Sequence, residues 1–194
     1  GSRVLFSTFL GGSNDDSALG VAVASDRSVY VAGVTASAGF PTNPGSVQPR
    51  YGGGDNDCFL SRLAPDGRSL LFSTFFGEQG AEGCTAVTVG PDNSAYVVGE
   101  TTSSRFPVTP GVFLIRCQGG ARDAFVSRFT PAGDVIFSTF LGGNNRDAAY
   151  GVAVHGSRVC IAGYTGSNNF PLSSDAFITS YRGGSRHAFL AILN

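Results

Sequence analysis

Three carboxylates recur along the chain at nearly constant spacing: Asp16, Glu82 and Asp147. Each stands shortly before a short apolar run, Gly20-Val21-Ala22-Val23, Ala86-Val87-Thr88-Val89 and Gly151-Val152-Ala153-Val154. A ring of such groups could hold a cation or recognise a basic or polyhydroxylated ligand. A pair of them could do the acid/base work of a glycosidase if their separation allowed it. The competing reading is that a loop carboxylate accepts backbone N–H bonds and fixes a turn. Thr35, Thr101 and Thr165, with Ser37, Ser103 and Ser167, read the same way, as turn hydroxyls. Asp57 and Asp123 are expected to pair with Arg62 or Arg128.

Tyr51 and Tyr181 share one loop column with Cys117 and could stack on a sugar, although packing against the protein is the stronger reading. The two histidines, His155 and His187, fall in unrelated columns, and neither Gly-x-Ser-x-Gly nor His-Glu-x-x-His appears. Catalysis therefore has thin support. Cys58, Cys84, Cys117 and Cys160 occupy four different columns and lack Cys-x-x-Cys spacing. A bridge between Cys84 and Cys117 is expected if their two loops share one face, against the alternative of four free thiols. Cys160 replaces Tyr30 and Tyr96 in a strand and reads as a small core hydrophobe.

The elements that must position these groups come from an internal repeat. Phe6-Ser7-Thr8-Phe9-Leu10-Gly11 returns as Phe72-Ser73-Thr74-Phe75-Phe76-Gly77 and as Phe137-Ser138-Thr139-Phe140-Leu141-Gly142. Further matched segments are Val29-Tyr30-Val31-Ala32-Gly33 and its two copies, Gly-x-Thr-x-Ser followed by Phe-Pro, and a last apolar run such as Asp57 to Leu63. Of the 16 Phe, all but Phe76 and Phe129 fall in columns that hold Phe in at least two units, which marks those columns as packing positions. Every segment is short, β-branched or aromatic, and bounded by Gly, Asn, Asp, Ser or Pro, with no 3.6-residue apolar period. Each unit thus predicts four strands, with turns at Pro65-Asp66-Gly67, Pro91-Asp92-Asn93 and Pro131-Ala132-Gly133. The long Phe-Pro to Gly-Gly connection is the place for functional loop residues. Four strands at a fixed long period predict an all-β chain of three β-propeller blades, with a β-solenoid as the runner-up.

The chain has 194 residues, 13 basic against 14 acidic, a net charge of -1 and 42% hydrophobic residues. All the basic residues are Arg, and Met, Trp and Lys are absent. This balance argues against disorder and against a nucleic-acid partner, since no basic stripe exists to displace counterions. No stretch approaches the roughly 18 apolar residues of a membrane span, and no cofactor is implied. The opening Gly1-Ser2 reads as a cleavage scar, followed by repeats over about 4–69, 70–134 and 135–194.

The motifs together, from Val4 to Leu193, resemble the bacterial SBBP repeat, the "beta-propeller repeat" of secreted and surface proteins. The resemblance implies a propeller in an extracellular or cell-surface bacterial protein and carries no catalytic motif. The last unit departs from the pattern, with His187 in place of Asp and Ala191-Ile192 in place of Ser-Arg. The repeats are out of phase with the blades by one strand, so the chain would begin with a fourth strand and end with a blade that lacks one. Since about four to eight blades close a propeller, the expectation is a homodimer by strand exchange. Val4 to Leu10 of each copy would complete the other's third blade in a six-bladed ring. The alternative is a slice of a longer array. The expected function is a non-catalytic binding or scaffolding module, with a lectin and a hydrolase or lyase as alternatives. Its ligand would be an unknown protein or glycan.

Overall fold

The computed structural model of the chain describes residues 2–194; Gly1, half of the expected scar, lies outside them. The described residues hold eleven strands and no helix, so the chain is all-β. Three antiparallel sheets follow one another along it. The first comprises β1 (Asp16–Val23), β2 (Val29–Thr35), β3 (Asp57–Leu63) and β4 (Leu70–Phe76) in that order. The second comprises β5 (Glu82–Val89), β6 (Ala95–Thr101), β7 (Asp123–Phe129) and β8 (Val135–Leu141). The third has only three strands, β9 (Asp147–His155), β10 (Arg158–Thr165) and β11 (His187–Leu193).

Local chemistry explains the turns. Gly67, Asn93 and Gly133 have φ of +69°, +62° and +101°, the left-handed conformation in which Gly and Asn cost least. The Gly of each Gly-x-Thr is required by close approach. The first strand of every sheet carries a bulge, and its carbonyl presses on the second strand there. A Cβ on Gly33, Gly99 or Gly163 would stand 2.0, 1.8 or 2.0 Å from the carbonyl oxygen of Ser17, Gly83 or Ala148.

The sheets pack in series, β5 against the first sheet and β9 against the second. One core lies between the first two sheets, around Leu60, Phe76, Val87 and Phe129, and another between the second and third, around Val98, Val126, Leu141 and Ile161. Within the first two sheets the Phe-Pro phenylalanine tilts onto two strand rings. Phe40 lies 4.4 Å from Phe59 and 6.0 Å from Phe75, and Phe106 lies 4.3 Å from Phe125 and 6.0 Å from Phe140. The long loops also bond to the fourth strand: Phe75 N–H donates to the Gln48 carbonyl at 3.0 Å and Phe140 N–H to Leu114 at 3.1 Å.

One expected strand is missing. Residues 4–10 carry the same Phe-Ser-Thr-Phe run as β4 and β8 yet form no strand, because no third strand lies beside them to complete a ladder. Phe9, whose counterparts Phe75 and Phe140 are buried, is fully exposed. The face of β11 that would meet a following sheet is also bare, with Leu190 71% and Ile192 55% exposed where Leu60 and Arg62 are buried against the second sheet.

Candidate functional site

The repeated carboxylates are the first residues of β1, β5 and β9. Each closes the loop before its strand in the same way. Gly12 N–H donates to Asp16 Oδ2 at 2.7 Å, Glu78 N–H to Glu82 Oε2 at 2.8 Å and Gly143 N–H to Asp147 Oδ2 at 2.8 Å. The Ser37, Ser103 and Ser167 hydroxyls add bonds of 3.0, 2.8 and 2.8 Å, and Glu82 also accepts from Thr101 at 2.8 Å. Thr35, Thr101 and Thr165 in turn accept the N–H of those serines. Glu82 and Asp147 are fully buried, and Asp16 is half-buried. Loop bracing thus occupies Oδ2 of Asp16 and of Asp147 and both oxygens of Glu82.

Beside two of them stands a second carboxylate from the preceding sheet. Asp57 opens β3 and Asp123 opens β7, and both are buried. A Cβ on Gly77 would stand 2.8 Å from Asp57 Oδ1 and 2.6 Å from Glu82 Oε2, so both oxygens crowd one point. Gly142 repeats the arrangement, at 2.8 Å from Asp123 Oδ1 and 2.7 Å from Asp147 Oδ2. Asp57 Oδ2 accepts the Gly52 N–H at 2.6 Å, whereas Oδ1 of Asp57 and of Asp123 is buried without a partner. Burial pushes both carboxyls up to about 7, against the pull of the Gly52 and Gln118 N–H groups and with help from the neighbouring acids.

This corrects the expectation that Asp57 and Asp123 pair with Arg62 and Arg128. Five residues along a strand separate Asp57 from Arg62, roughly 17 Å and opposite faces. The arginines bind the other end of the sheet. Arg62 donates to Asp26 Oδ2 at 2.8 Å and Ser28 Oγ at 2.9 Å, and its guanidinium lies 5.2 Å from the Tyr30 ring. Arg128 repeats this with Asp92 at 2.7 Å, Ser94 at 3.0 Å and Tyr96 at 5.1 Å. The hydroxyls and N–H groups of Ser28 and Ser94, ahead of the arginines, hold Asp26 and Asp92 below the usual carboxylate range. A signal was present: the third unit loses Tyr, Arg and the turn Asp together, at Cys160, Ile192 and His155-Gly156.

The disulfide also differs from expectation. Cys58 bridges to Cys84, with Cα atoms 5.0 Å apart, and Cys117 and Cys160 are free and half-buried. Cys84 does not reach Cys117, because Cys84 faces back from β5 onto β3 of the preceding sheet. Cys117 instead lies in the loop of its own sheet. Small residues fill the same two columns at the next junction, where Ala124 and Ala149 are both buried, so the paired change to Cys was the available clue.

Tyr51 and Tyr181 clasp the Gly-Gly loops. Tyr51 donates to the Gly54 carbonyl at 3.1 Å and lies edge-on to Phe75; Tyr181 donates to Gly184 at 2.7 Å and stacks on His187 at 4.2 Å. Burial first, and then the charges of Asp57, Asp55 and Glu82, raise the Tyr51 hydroxyl above its ordinary value.

A cavity of about 780 Å³ that the sequence did not suggest opens between the second and third sheets. Tyr96, Phe113, Arg128, Phe137, Gly156 and Leu193 are among its walls. At the preceding junction the same columns are covered. Arg62 Nη1 donates to the Pro131 carbonyl at 2.6 Å, and Gly133 sits over Phe72, where a Cβ would meet the ring at 2.9 Å. The cavity is therefore the place that a strand-3 to strand-4 turn fills elsewhere. No protein-family model matches the chain, and no curated protein matches it significantly.

Proposed function

We propose that the chain is a non-catalytic β-propeller module of the SBBP-repeat kind, extracellular or on the bacterial cell surface, that binds or scaffolds, and that two copies close one six-bladed ring. The observation that carries this reading is the seat of the N-terminal segment. Phe6 packs on Gly67 where a Cβ would meet its ring at 2.3 Å, just as Phe72 packs on Gly133. The segment thus occupies the place of a fourth strand belonging to a sheet ahead of β1, and the third sheet lacks its fourth strand. The Cys58–Cys84 bridge supports an oxidising compartment, since disulfides persist there and are rare in reducing ones.

Mass measurement by light scattering tests the ring. A species of twice the 20.0 kDa chain is expected, and a folded species of 20.0 kDa at tens of micromolar would remove the ring. A glycan ligand is favoured as a second reading by the open cavity, whose aromatic walls Tyr96, Phe113 and Phe137 stand beside Arg128, Asp92 and Thr139. Glycan-array binding that Phe113→Ala abolishes would support it, and an array with no signal would remove it. The hydrolase or lyase alternative gains nothing from carboxylates that are committed to loop hydrogen bonds.

A further inference from the structure

The two internal junctions between sheets each bring a carboxylate from strand 3 beside a carboxylate from the next strand 1: Asp57 with Glu82 across Gly77, and Asp123 with Asp147 across Gly142. The same columns at the chain's two ends hold different chemistry. Register places His187 opposite Thr165, as Asp57 lies opposite Thr35 and Asp123 opposite Thr101. At the other end Asp16 crowds Gly11 as Glu82 crowds Gly77, and its Oδ1 has no partner. His187 Nε2 already bonds the Gly183 carbonyl at 2.5 Å, as Asp57 Oδ2 bonds the loop N–H, which leaves Nδ1 for the next sheet.

The aromatic column is divided in the same way. Phe170 and Phe189 are paired at 4.6 Å but lack the third ring that Phe75 and Phe140 supply in the other sheets, and the matching ring, Phe9, is fully exposed at the opposite end. Both terminal faces are also bare and apolar, with Leu19, Val21 and Val23 exposed on β1 and Leu190 and Ile192 on β11.

From these we infer that the seam between copies is keyed: Phe9 of one copy completes the Phe170–Phe189 pair of the second copy, and Asp16 faces the second copy's His187. The inference rests on the two-copy ring proposed above. It differs from the internal junctions in that an imidazole replaces one of two carboxylates, and like carboxylates disfavour joining when both are ionised. It also sets the register. The β3–β4 and β7–β8 ladders pair Leu60 with Thr74 and Val126 with Thr139, so Leu190 pairs with Thr8 of the second copy and Phe189 with its Phe9. Ser7 then lies opposite Ala191, and the Ser–Ser bonds of 2.8 Å seen at Ser61–Ser73 and Ser127–Ser138 are absent from the seam.

Sedimentation analysis of the whole chain and three variants tests this. Phe9→Ala removes a ring that touches nothing within one chain, so circular dichroism should stay unchanged while the dimer dissociation constant rises about thirtyfold for each of the two seams, about a thousandfold together. His187→Asp, which installs the residue of the other two units, should weaken the dimer by about tenfold. In a Cys117→Ser, Cys160→Ser background, Thr8→Cys with Leu190→Cys should cross-link two copies on mild oxidation. A wild-type dimer whose dissociation constant neither Phe9→Ala nor His187→Asp moves by more than twofold would overturn the keyed seam and leave the ring standing. A dimer that fails to cross-link would overturn its register. A wild-type protein that is monomeric throughout would instead overturn the ring itself.

Discussion

Stability should fall as pH rises from 5 to 8, and two buried carboxyls are the reason. Asp57 and Asp123 have folded-state values of about 7 against 3.8 for the ordinary carboxyl. Each therefore binds more proton folded than unfolded between these values. Stability that is present below about pH 4 is lost progressively as pH rises and is gone above about 7. At ~1.4 kcal/mol per pH unit, this interval sets an upper bound of about 4 kcal/mol for each carboxyl. Between pH 5 and 8 a fall of at least about 2 kcal/mol is expected for the pair. Asp26 and Asp92 work the other way, but their loss falls below the ordinary carboxylate value, outside this window. The assay is urea unfolding at pH 5, 6, 7 and 8 with the disulfide kept oxidised. The double variant Asp57→Asn, Asp123→Asn, which keeps shape and removes the charge, should exceed wild type by a larger margin at pH 8 than at pH 5 and show a flat profile. A wild-type stability that is level or rising from pH 5 to 8, or a double variant that keeps the slope, would refute the reasoning.

Further consequences follow from the same contacts. Thiol titration of the denatured, unreduced protein should count two free thiols, Cys117 and Cys160, and Cys58→Ala should raise the count to three. That variant should also lose about 3.5 kcal/mol, from the entropy of a loop closed over a sequence separation of 26, measured by urea unfolding. Gly99→Ala places a methyl 1.8 Å from the Gly83 carbonyl oxygen, so it should cost at least about 3 kcal/mol or abolish soluble expression, whereas Gly151→Ala, whose nearest neighbour is 3.8 Å away, should be tolerated. Phe75→Ala should cost about 3 to 5 kcal/mol in thermal or urea unfolding because its ring is buried against Phe40 and Tyr51.

Strands and turns were legible because they are local. The alternation of Val29 to Gly33, the Phe columns and the Gly or Asn at position 67, 93 or 133 each state a backbone conformation without reference to distant chain. The loop-bracing role of Asp16, Glu82 and Asp147 was also readable, since each acceptor lies four residues from its donor in sequence. Residues 4–10 show where locality stops, because the same Phe-Ser-Thr-Phe run is a strand at β4 and β8 and irregular at the N-terminus. A strand needs a neighbour.

Residue types along the chain thus determined three four-part units, their turn chemistry and the columns that pack. Tertiary structure alone decided which face of each sheet meets the next. Cys58 therefore joins Cys84, Asp57 lies beside Glu82, and Arg62 turns to Asp26 at the far end of its strand. The physical reason is the two-residue period of a strand and the bulge that offsets it. Neighbouring side chains point to opposite faces, and one extra residue in β1, β5 and β9 re-aims everything before it. Pairings across sheets depend on that phase and on packing order, and no single segment carries either.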